Sequence, residues 1–337
     1  MPTYILGIES SCDDTSASVL CDGKVLSNLI ANQEIHKSFG GVVPELASRA
    51  HQQNIIPVVN QAINNANIDK NQLNAIAYTR GPGLLGSLLV GSSFAKSLSM
   101  GLNVPLIEVN HMQAHLLAHF IEDCGNEKPT FPFIGVTISG GHTQIVLVKN
   151  YFDMEIIGET LDDAIGETFD KCGKMLGLPY PAGPHIDKHS KNGDSKKYKF
   201  TKPKVGGLNY SFSGLKTGFM RYIQKEKNNN DDFISNELEN LCASLQSTIV
   251  EILFEKIILA TKQTGINKVV FGGGVSCNSG IIEKFKQNEI IENYKSYFPK
   301  FEYTTDNAAM IAMVGYLKYN NNDFSSLEKS AQARFKL

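Results

Sequence analysis

Short runs of apolar and β-branched residues alternate along the chain with longer segments of helical periodicity. Residues 268–271 have the composition of a buried strand, and the glycines at 272–274 then turn the chain toward a helix expected to begin near Asn278. Residues 238–261 are apolar around much of the helical circumference, which predicts a helix in the core. This alternation of strands and helices predicts an α/β fold.

Two segments of the chain, residues 4–20 and 133–148, resemble each other. Each is typical of a strand, a small polar loop and a second strand. Their matching positions share an offset of 128 residues (from 7 to 135): Gly7 with Gly135, Ser11 with Ser139, and Thr15 with Thr143. The repeat predicts two duplicated half-domains whose polar loops face one cleft.

Glycine-rich turns stand at the ends of predicted strands, near Gly83, Gly183, Gly214 and Gly273. Glycine allows backbone amides to approach an anion, and the N-terminus of a following helix adds a favourable dipole. The turn GPGLLG also matches the dinucleotide pattern G-x-G-x-x-G, with Glu108 about 20 residues further on. A dehydrogenase is therefore an alternative, although Pro82 lies in the turn and the match occurs once.

Composition narrows the function classes. The 337 residues are 42% hydrophobic and 20% charged, which is typical of a globular protein and sufficient for two domains. A net charge of −2 gives no global attraction for nucleic acid or membrane, so RNA contact needs a local patch.

The cysteines and the apolar runs indicate a cytoplasmic protein. No window approaches the roughly 20 apolar residues of a spanning helix, and the first residues lack a basic signal region. No C-x-x-C spacing occurs, which argues against a zinc knuckle or a disulfide framework. The six cysteines are Cys12, Cys21, Cys124, Cys172, Cys242 and Cys277.

The segment VNHMQAHLLAHF places His111, His115 and His119 four residues apart, so a helix would carry them as one ridge. A single buried histidine is usually a packing residue, and we expect this of His119. His111 and His115 can converge on one ion if another ligand completes the site, and Asp306, near a predicted helix start, is the best remote candidate. A zinc protease is disfavoured because it needs glutamate where Met112 stands.

Seven motifs occur in the order and spacing of one family. They are GIESSCDDTSASV, NHMQAHLLAH, VTISGGHTQIVLV, AIGETFDKCGKMLGLPYPAGP, NYSFSGLKT, FGGGVSCNSG and TDNAAMIA. From Ile5 to about Gly315 the chain resembles the tRNA N6-adenosine threonylcarbamoyltransferases, the TsaD family, in its bacterial type.

The resemblance implies the fold of actin, the heat-shock ATPases and the sugar kinases, called the ASKHA fold. Two duplicated ribonuclease-H-like lobes would enclose a nucleotide cleft. Residues 1–128 with about 306–330 would form the first lobe, and residues 129–305 the second, with a helical insertion.

The implied reaction transfers threonylcarbamoyl from threonylcarbamoyl-AMP to N6 of the adenosine 3′ of the anticodon in tRNAs that read codons beginning with A, releasing AMP. The implied partners are tRNA, threonylcarbamoyl-AMP, a degenerate paralogue (TsaB-like) and a small P-loop ATPase (TsaE-like), with no membrane. Two alternatives stay open: a phosphotransferase or ATPase of the same fold, and a non-catalytic scaffold of a tRNA-modifying complex.

The resemblance also implies that His111, His115 and Asp306 hold one divalent metal ion, with Fe²⁺ favoured over Zn²⁺. Asp13 and Asp14 occupy acidic positions of the first loop, where either can accept the amine proton or cap the loop.

Substrate and nucleotide contacts are expected on several glycine-rich and acidic segments. The expected positions are Thr137, Ile138, Ser139, Gly140, Gly141, Asp170, Gly183, Asp187, Gly273 and Asn278. The chain departs from the family pattern at Gln113, Ala114 and Ala182, and none of these departures removes a ligand.

A lysine-rich stretch, residues 188–204, holds seven lysines. Lysines attract phosphates, and the interleaved Tyr198 and Phe200 could stack on bases, but the same composition also suits a solvated loop. Given the resemblance, we predict RNA contact at Lys196, Lys197 and Lys199.

Overall fold

A computed structural model of the chain describes residues 1–33, 36, 39–122 and 127–337. The chain forms two compact units. Unit 1 comprises Met1–Pro129 and Pro299–Leu337, and unit 2 comprises Thr130–Phe298. Unit 2 is therefore inserted into the sequence of unit 1. The domain boundaries expected from the sequence, residues 1–128 with about 306–330 and residues 129–305, stay a prediction.

Unit 1 is built on a mixed sheet with the strand order β3-β2-β1-β4-β5. Its strands are β1 (Tyr4–Glu9), β2 (Thr15–Cys21), β3 (Lys24–Ala31), β4 (Ala75–Gly81) and β5 (Leu106–Asn110). β2 runs antiparallel to β1 and β3, whereas β1, β4 and β5 run parallel to one another. The helices that precede unit 2 are α1 (Pro44–Asn65), α2 (Leu85–Leu102) and α3 (His111–Leu117).

Unit 2 has the same topology, with the strand order β8-β7-β6-β9-β10. Its strands are β6 (Phe133–Ile138), β7 (Thr143–Val148), β8 (Met154–Glu159), β9 (Lys268–Gly272) and β10 (Lys295–Tyr297). Its helices are α4 (Ile165–Met175), α5 (Gly183–Ser190), α6 (Ser213–Asn229), α7 (Phe233–Thr264) and α8 (Ser279–Asn288).

The two sheets share a register as well as a strand order. In the pair β1 and β2, Gly7 lies opposite Ser18, and in the pair β6 and β7, Gly135 lies opposite Val146. Both pairs are related by the predicted offset of 128 residues (7 to 135 and 18 to 146). The duplicated α/β fold is thus confirmed at the level of paired residues.

Helix α7 runs through the core of unit 2. The prediction of a core helix over residues 238–261 is confirmed, since Leu245, Ile249 and Leu253 are completely buried. The helix ends at Gly265, whose φ of 71° lies in the left-handed region that glycine adopts without strain.

Helix α9 (Ala308–Asn320) follows unit 2 in sequence and packs on the sheet of unit 1. Its first eight residues are all buried. Gly7 lets the helix lie directly on β1, because a Cβ there would stand 2.4 Å from the Ala308 carbonyl oxygen and 2.6 Å from the Ala312 nitrogen. This close packing fixes the residues just before α9, which include Asp306.

The segment after α9, residues 325–336, lies along the ends of β4 and β5, and we call it the tail. The backbone N–H of Gln332 donates to the carbonyl oxygen of Arg80. The side-chain amide of Asn110 donates to the carbonyl oxygens of Phe335, at 3.3 Å, and Lys336, at 3.1 Å. The tail therefore contacts the residue that precedes α3.

Within the described ranges, no helix is both long and apolar enough to cross a membrane. Cys12, Cys21, Cys172 and Cys242 carry free thiols, in agreement with the absence of paired spacing. Cys124 lies outside the described residues.

Candidate functional site

Helix α3 is held in place by the buried strand β5 and by its own cap. Asn110, the last residue of β5, accepts hydrogen bonds at Oδ1 from the backbone N–H groups of Met112 (2.9 Å) and Gln113 (3.2 Å). Such a cap stabilises the first turn of a helix. The predicted ridge of three histidines forms only in part, because α3 ends at Leu117 and His119 lies in the 3-10 turn that follows.

His111, His115 and Asp306 bring three ligand atoms together. The two Nε2 atoms lie 3.2 Å apart, and the Asp306 Oδ1 lies 3.3 Å from each of them. Both imidazoles are almost completely buried, whereas the Asp306 side chain is 28% exposed. We call these three residues the metal triangle, because their ligand atoms could hold one metal ion. Solvent reaches the triangle from the side of the Asp306 carboxylate.

The spacing of the metal triangle fits a bound transition metal. Bonds of about 2.0–2.1 Å separate neighbouring ligand atoms by about 2.9 Å at right angles and about 3.3–3.4 Å at tetrahedral angles. The observed separations of 3.2 and 3.3 Å lie within this range. Two imidazoles and one carboxylate suit iron or zinc, and they leave coordination positions open for a substrate.

Glu9 supports the metal triangle from the opposite side of His111. It is the last residue of β1, is fully buried, and places Oε2 at 2.9 Å from the His111 Nδ1 and 2.6 Å from the Thr79 Oγ1. Sequence reasoning missed Glu9, although an acidic residue at the end of an apolar strand was a usable sign of a special role.

The charges in this cluster favour one protonated imidazole. Burial lowers the pKa of His111, but the carboxylates of Glu9 and Asp306 outweigh burial and raise that pKa well above its ordinary value. Burial is the main cause that lowers the pKa of His115. A metal ion that binds at Nε2 of His111 therefore has to displace a proton.

The loop between β1 and β2 carries Asp13 and Asp14, and His51 of α1 holds it. The His51 ring is completely buried, with Nδ1 at 2.8 Å from the Thr15 Oγ1 and Nε2 at 3.1 Å from the Cys12 carbonyl oxygen. Both ring nitrogens are thus used to fix the loop.

Asp14 has an unusual acidity. Burial is the largest cause that raises its pKa to about 7, and the charges of Asp13, Asp306 and Glu9 act in the same direction. A carboxyl group with a pKa near neutrality can accept a proton at physiological pH.

The glycines of the turn GPGLLG are explained by packing. A Cβ on Gly83 would stand 2.3 Å from the Ser11 carbonyl oxygen, and a Cβ on Gly81 would stand 1.9 Å from the Gln332 carbonyl oxygen. The turn thus lies between the first loop and the tail, so its glycines need no dinucleotide to account for them.

In unit 2, the loop of Ser139, Gly140 and Gly141 follows β6. The Ser139 N–H donates to the His142 carbonyl oxygen at 2.9 Å, and the Ser139 carbonyl oxygen accepts from the Gly166 N–H at 3.2 Å. Among the described residues, no heavy atom lies within 4 Å of a Cβ built on Gly140 or Gly141. The loop is therefore open beside the N-terminus of α4, a favourable place for an anion.

Asp170 holds the turn that leads into α5. Its Oδ1 accepts from the backbone N–H of Ala182 at 2.7 Å, and Gly183 begins α5. Burial raises the pKa of Asp170, and the backbone N–H groups of Ala182 and Gly183 oppose that shift. The structure thus places Asp170 beside Gly183. The Asp170 carboxyl group holds the backbone of the turn before α5 by accepting a hydrogen bond.

Asp187 and Asn278 lie in one hydrogen-bond network with Gln246. Asp187 Oδ1 accepts from the Ser279 hydroxyl at 2.7 Å and from the Gln246 side-chain amide at 3.1 Å. Asn278 caps α8 by accepting from the Ile281 N–H, and it donates to Gln246 Oε1 at 2.8 Å. The network joins α5, α7 and α8.

A cavity of about 330 Å³ opens beside this network. Its lining includes Ser190, Gln246, Ser279 and Lys284. Gly273 lies at the end of β9 with a φ of 91°, and a Cβ there would stand 2.4 Å from the Ile138 carbonyl oxygen. Glycine at this position therefore lets the loop after β9 approach the end of β6.

Comparison with known proteins identifies the family. Residues 24–313 match the sequence profile of TsaD, tRNA N6-adenosine threonylcarbamoyltransferase. A protein of that name from Christiangramia forsetii is 62% identical over 98% of both chains, and one from Riemerella anatipestifer is 59% identical over 99% of this chain and 98% of its own. The chain belongs to this family. It is accordingly a transferase that modifies tRNA.

Solved structures of other proteins have a similar fold. HypF from T. kodakarensis has a TM-score of 0.64 at 14% identity, over 95% of this chain and 48% of that chain. The (R)-2-hydroxyglutaryl-CoA dehydratase component A of Acidaminococcus fermentans has a TM-score of 0.54 at 14% identity, over 94% and 99%. At this identity the likeness concerns the fold alone, and the predicted ASKHA fold is confirmed.

The departures from the TsaD family pattern are accommodated locally. A Cβ on Gly173 would stand 2.3 Å from the Cβ of Ala182, so the glycine in α4 leaves room for this alanine. Gln113 and Ala114 lie on α3 between the two histidines, and both are buried. Neither changes a ligand of the metal triangle.

The lysine-rich stretch is partly used inside unit 2. The Lys197 ammonium lies 2.7 Å from the Glu237 carboxylate. The rings of Tyr198 and Phe200 pack against the unit's own aromatic residues, with centroids 5.5 Å from Tyr222 and 5.0 Å from Phe219. The two rings are therefore poorly placed for base stacking, while Lys196 and Lys199 are exposed. RNA contact by the lysines stays a prediction.

Proposed function

We propose that the chain transfers threonylcarbamoyl from threonylcarbamoyl-AMP to N6 of the adenosine 3′ of the anticodon in tRNAs that read codons beginning with A, and releases AMP. The observation that carries this proposal is the metal triangle of His111, His115 and Asp306 in a member of the TsaD family. The resident ion in the proposal is Fe²⁺, with Zn²⁺ as the alternative.

The chemistry explains why such a site is useful. The exocyclic amine of adenine is a weak nucleophile because its lone pair is delocalised into the ring. The reaction therefore needs an activated acyl group held close to the amine. A divalent ion on the metal triangle would supply a Lewis acid that polarises the carbamoyl oxygen or holds the threonyl carboxylate.

The chain's own residues handle the leaving group and the proton. The open loop of Gly140 and Gly141, with the N-terminus of α4, binds the phosphate on which negative charge grows as the carbonyl carbon–oxygen bond breaks, while the Ser139 N–H holds this loop through the His142 carbonyl oxygen. Asp14, with Asp13 as the other candidate, accepts the amine proton as the bond from N6 to the carbonyl carbon forms.

The remaining residues of unit 2 shape the substrate region in this proposal. Asp170 fixes the backbone that leads into α5, and Asp187 together with Asn278 fixes the start of α8. The cavity of about 330 Å³ lined by Gln246 and Ser279 is within the size range of small-molecule sites. The other expected contact residues stand at the ends of these elements: Thr137 and Ile138 at the end of β6, Gly273 after β9, and Gly183 at the start of α5.

Partners are part of the proposal. Besides tRNA and threonylcarbamoyl-AMP, we include a degenerate paralogue (TsaB-like) that pairs with unit 1 and a small P-loop ATPase (TsaE-like). A tRNA substrate places the reaction in the cytoplasm.

The deciding experiment is nucleoside mass spectrometry. Undermodified tRNA is incubated with threonylcarbamoyl-AMP, the purified protein and its partners. We expect threonylcarbamoyladenosine from the wild type and at least a 100-fold lower yield from a His111→Ala, His115→Ala variant, because both nitrogen ligands are lost. His119→Ala, which removes a nearby histidine outside the metal triangle, is the matched control and retains activity.

The other outcomes contradict parts of the proposal. Product from both proteins would keep the reaction and remove the role of the metal triangle. No product from either, together with ATP turnover by the chain alone, would support a phosphotransferase or ATPase of the same fold.

A further inference from the structure

Glu9 is a buried carboxylate whose two oxygens are both occupied. Its Oε1 accepts from the backbone N–H of Ser11 at 2.5 Å, and its Oε2 accepts from the Thr79 hydroxyl at 2.6 Å. The His111 Nδ1 lies 2.9 Å from the same Oε2. Burying an unpaired carboxylate is costly, so a residue in this position needs a cationic or strongly polar partner.

The contact with Glu9 decides how the His111 ring is used. Nδ1 carries the proton that it donates to Glu9, which leaves Nε2 as the atom directed at His115 and Asp306. A histidine that donates one ring proton to a carboxylate has a fixed tautomer and orientation, and the other nitrogen becomes more basic.

His115 is supported differently. Its Nδ1 is buried and has no hydrogen-bond partner among the described residues. Its ring instead packs edge to face on His111, with the centroids 4.7 Å apart and the planes at 83°. The orientation of His115 therefore depends on that of His111, so a support for one ring is a support for both.

The charge count of the cluster also involves Glu9. Asp306 and Glu9 together carry two negative charges, and they flank His111 on opposite sides. If both imidazoles are neutral, the two carboxylates would balance the two positive charges of a divalent ion. This charge balance lowers the free-energy cost of holding the ion in a buried place.

We propose that Glu9 is a positioning residue of the metal centre, which orients the His111 Nε2 toward the ion and balances the charge of the ion. This inference rests on the proposed metal-dependent function and adds a residue that does not touch the ion. Thr79 and the Ser11 amide in turn hold the Glu9 carboxylate in place.

The first test measures affinity for Zn²⁺ alone, by competition of the full-length protein with a chromophoric chelator. We expect Glu9→Ala to lose about 10–100-fold in affinity, as is usual when the carboxylate behind a metal-bound histidine is removed. Glu9→Gln keeps an oxygen acceptor for the Nδ1 proton, loses the charge and sets its amide NH2 group against the Ser11 N–H, so we expect a loss smaller than that of Glu9→Ala. Glu108→Gln removes a mostly buried carboxylate from β5, which is separated from β1 by β4, and is the matched control, with unchanged affinity.

A second readout distinguishes positioning from simple structural support. In ¹H–¹⁵N spectra of the Zn²⁺-loaded protein, the His111 Nδ1 proton should be protected from exchange in the wild type and in Glu9→Gln. In Glu9→Ala it should exchange rapidly. If Glu9→Ala does not fold, the affinity and spectrum of Glu9→Gln, compared with Glu108→Gln, still decide the matter.

The possible failures can be told apart. Wild-type affinity for Zn²⁺ in both Glu9 variants, with an unchanged Nδ1 signal, would overturn this inference and leave the proposed function standing. Equal losses in Glu9→Gln and Glu108→Gln would also overturn it, because they would indicate a general effect on the sheet. A wild-type protein that binds no Zn²⁺ and no Fe²⁺ would remove the metal centre itself, and this inference with it.

Discussion

Asp14 is the residue whose protonation state can be tested most directly. Burial, assisted by Asp13 and Asp306, raises its pKa to about 7. A base acts only when it is deprotonated, so the rate of transfer should rise with pH up to this pKa and level off above it. A bound divalent ion offsets the charge of Asp306, which places the midpoint at or below about pH 7.

The corresponding experiment measures kcat from about pH 5 to about pH 9 for the wild type and two variants. We expect Asp14→Asn to lower kcat by about 100-fold and to flatten the profile, because the proton acceptor is gone. Asp13→Asn, next to it in the loop, should keep the rise with pH. An Asp14→Asn variant with the wild-type rate and profile would assign this carboxyl group to capping of the loop.

Residue spacing predicted that His111 and His115 lie together, because a helix places positions i and i+4 on one face. Asp306 was the best remote candidate for a further ligand, and the structure brings its carboxylate to within 3.3 Å of both histidines. Glu9 could not be found in that way. It is 102 positions from His111 in sequence, and the two meet because β1, β4 and β5 run parallel in one sheet and therefore end at the same edge. Local patterns contain no information about such pairing.

At the scale of elements, the close packing of α9 on β1 leaves no room for a side chain at Gly7. In Gly7→Ala, the added methyl group would lie 2.4 Å from the Ala308 carbonyl oxygen, so the helix has to shift. Overpacking of this kind lowers the free energy of unfolding by about 1–3 kcal/mol. Because Asp306 stands two residues before α9, the affinity for Zn²⁺ should fall as well.

Urea denaturation followed by circular dichroism measures the stability effect of Gly7→Ala. The control is Gly101→Ala in α2, where a Cβ meets no described heavy atom within 4 Å. It should be neutral or stabilise by up to about 1 kcal/mol, since alanine favours a helix. Equal stability of Gly7→Ala and wild type would contradict the close contact between α9 and β1.

The elements themselves were largely predictable. The repeat in the sequence predicted two similar sheets, and the apolar run around residues 238–261 predicted the core helix. The end of α3 was not predictable, because the spacing of histidines continues to His119 while the helix stops at Leu117. Local periodicity carries no information about the distant elements that pack on this end of the helix, here α9.

At the scale of the whole molecule, a net charge of −2 means that tRNA must be attracted by a local surface. We expect Lys196→Ala with Lys199→Ala to weaken tRNA binding and to reduce the slope of log affinity against log salt by up to about 2, near one unit for each lost phosphate contact. Lys197 is held by Glu237, so its removal should add less.

Filter binding at several salt concentrations checks this expectation. The matched control removes two lysines of α6 in the same unit, Lys225→Ala with Lys227→Ala. A similar loss of slope in both pairs would indicate a dependence on net charge alone. An unchanged slope for the first pair would exclude phosphate contacts by Lys196 and Lys199.

Unit 1 is interrupted in sequence by the whole of unit 2, and this separates His115 from Asp306, two of the proposed ligands, by 191 residues (115 to 306). A ribosome makes the N-terminal part first, so Glu9, His111 and His115 exist in the nascent chain long before Asp306. The three-ligand site is therefore incomplete until unit 2 has been translated. In the proposed function, capture of the ion by all three ligands has to wait for Asp306, so metal loading follows the synthesis of unit 2.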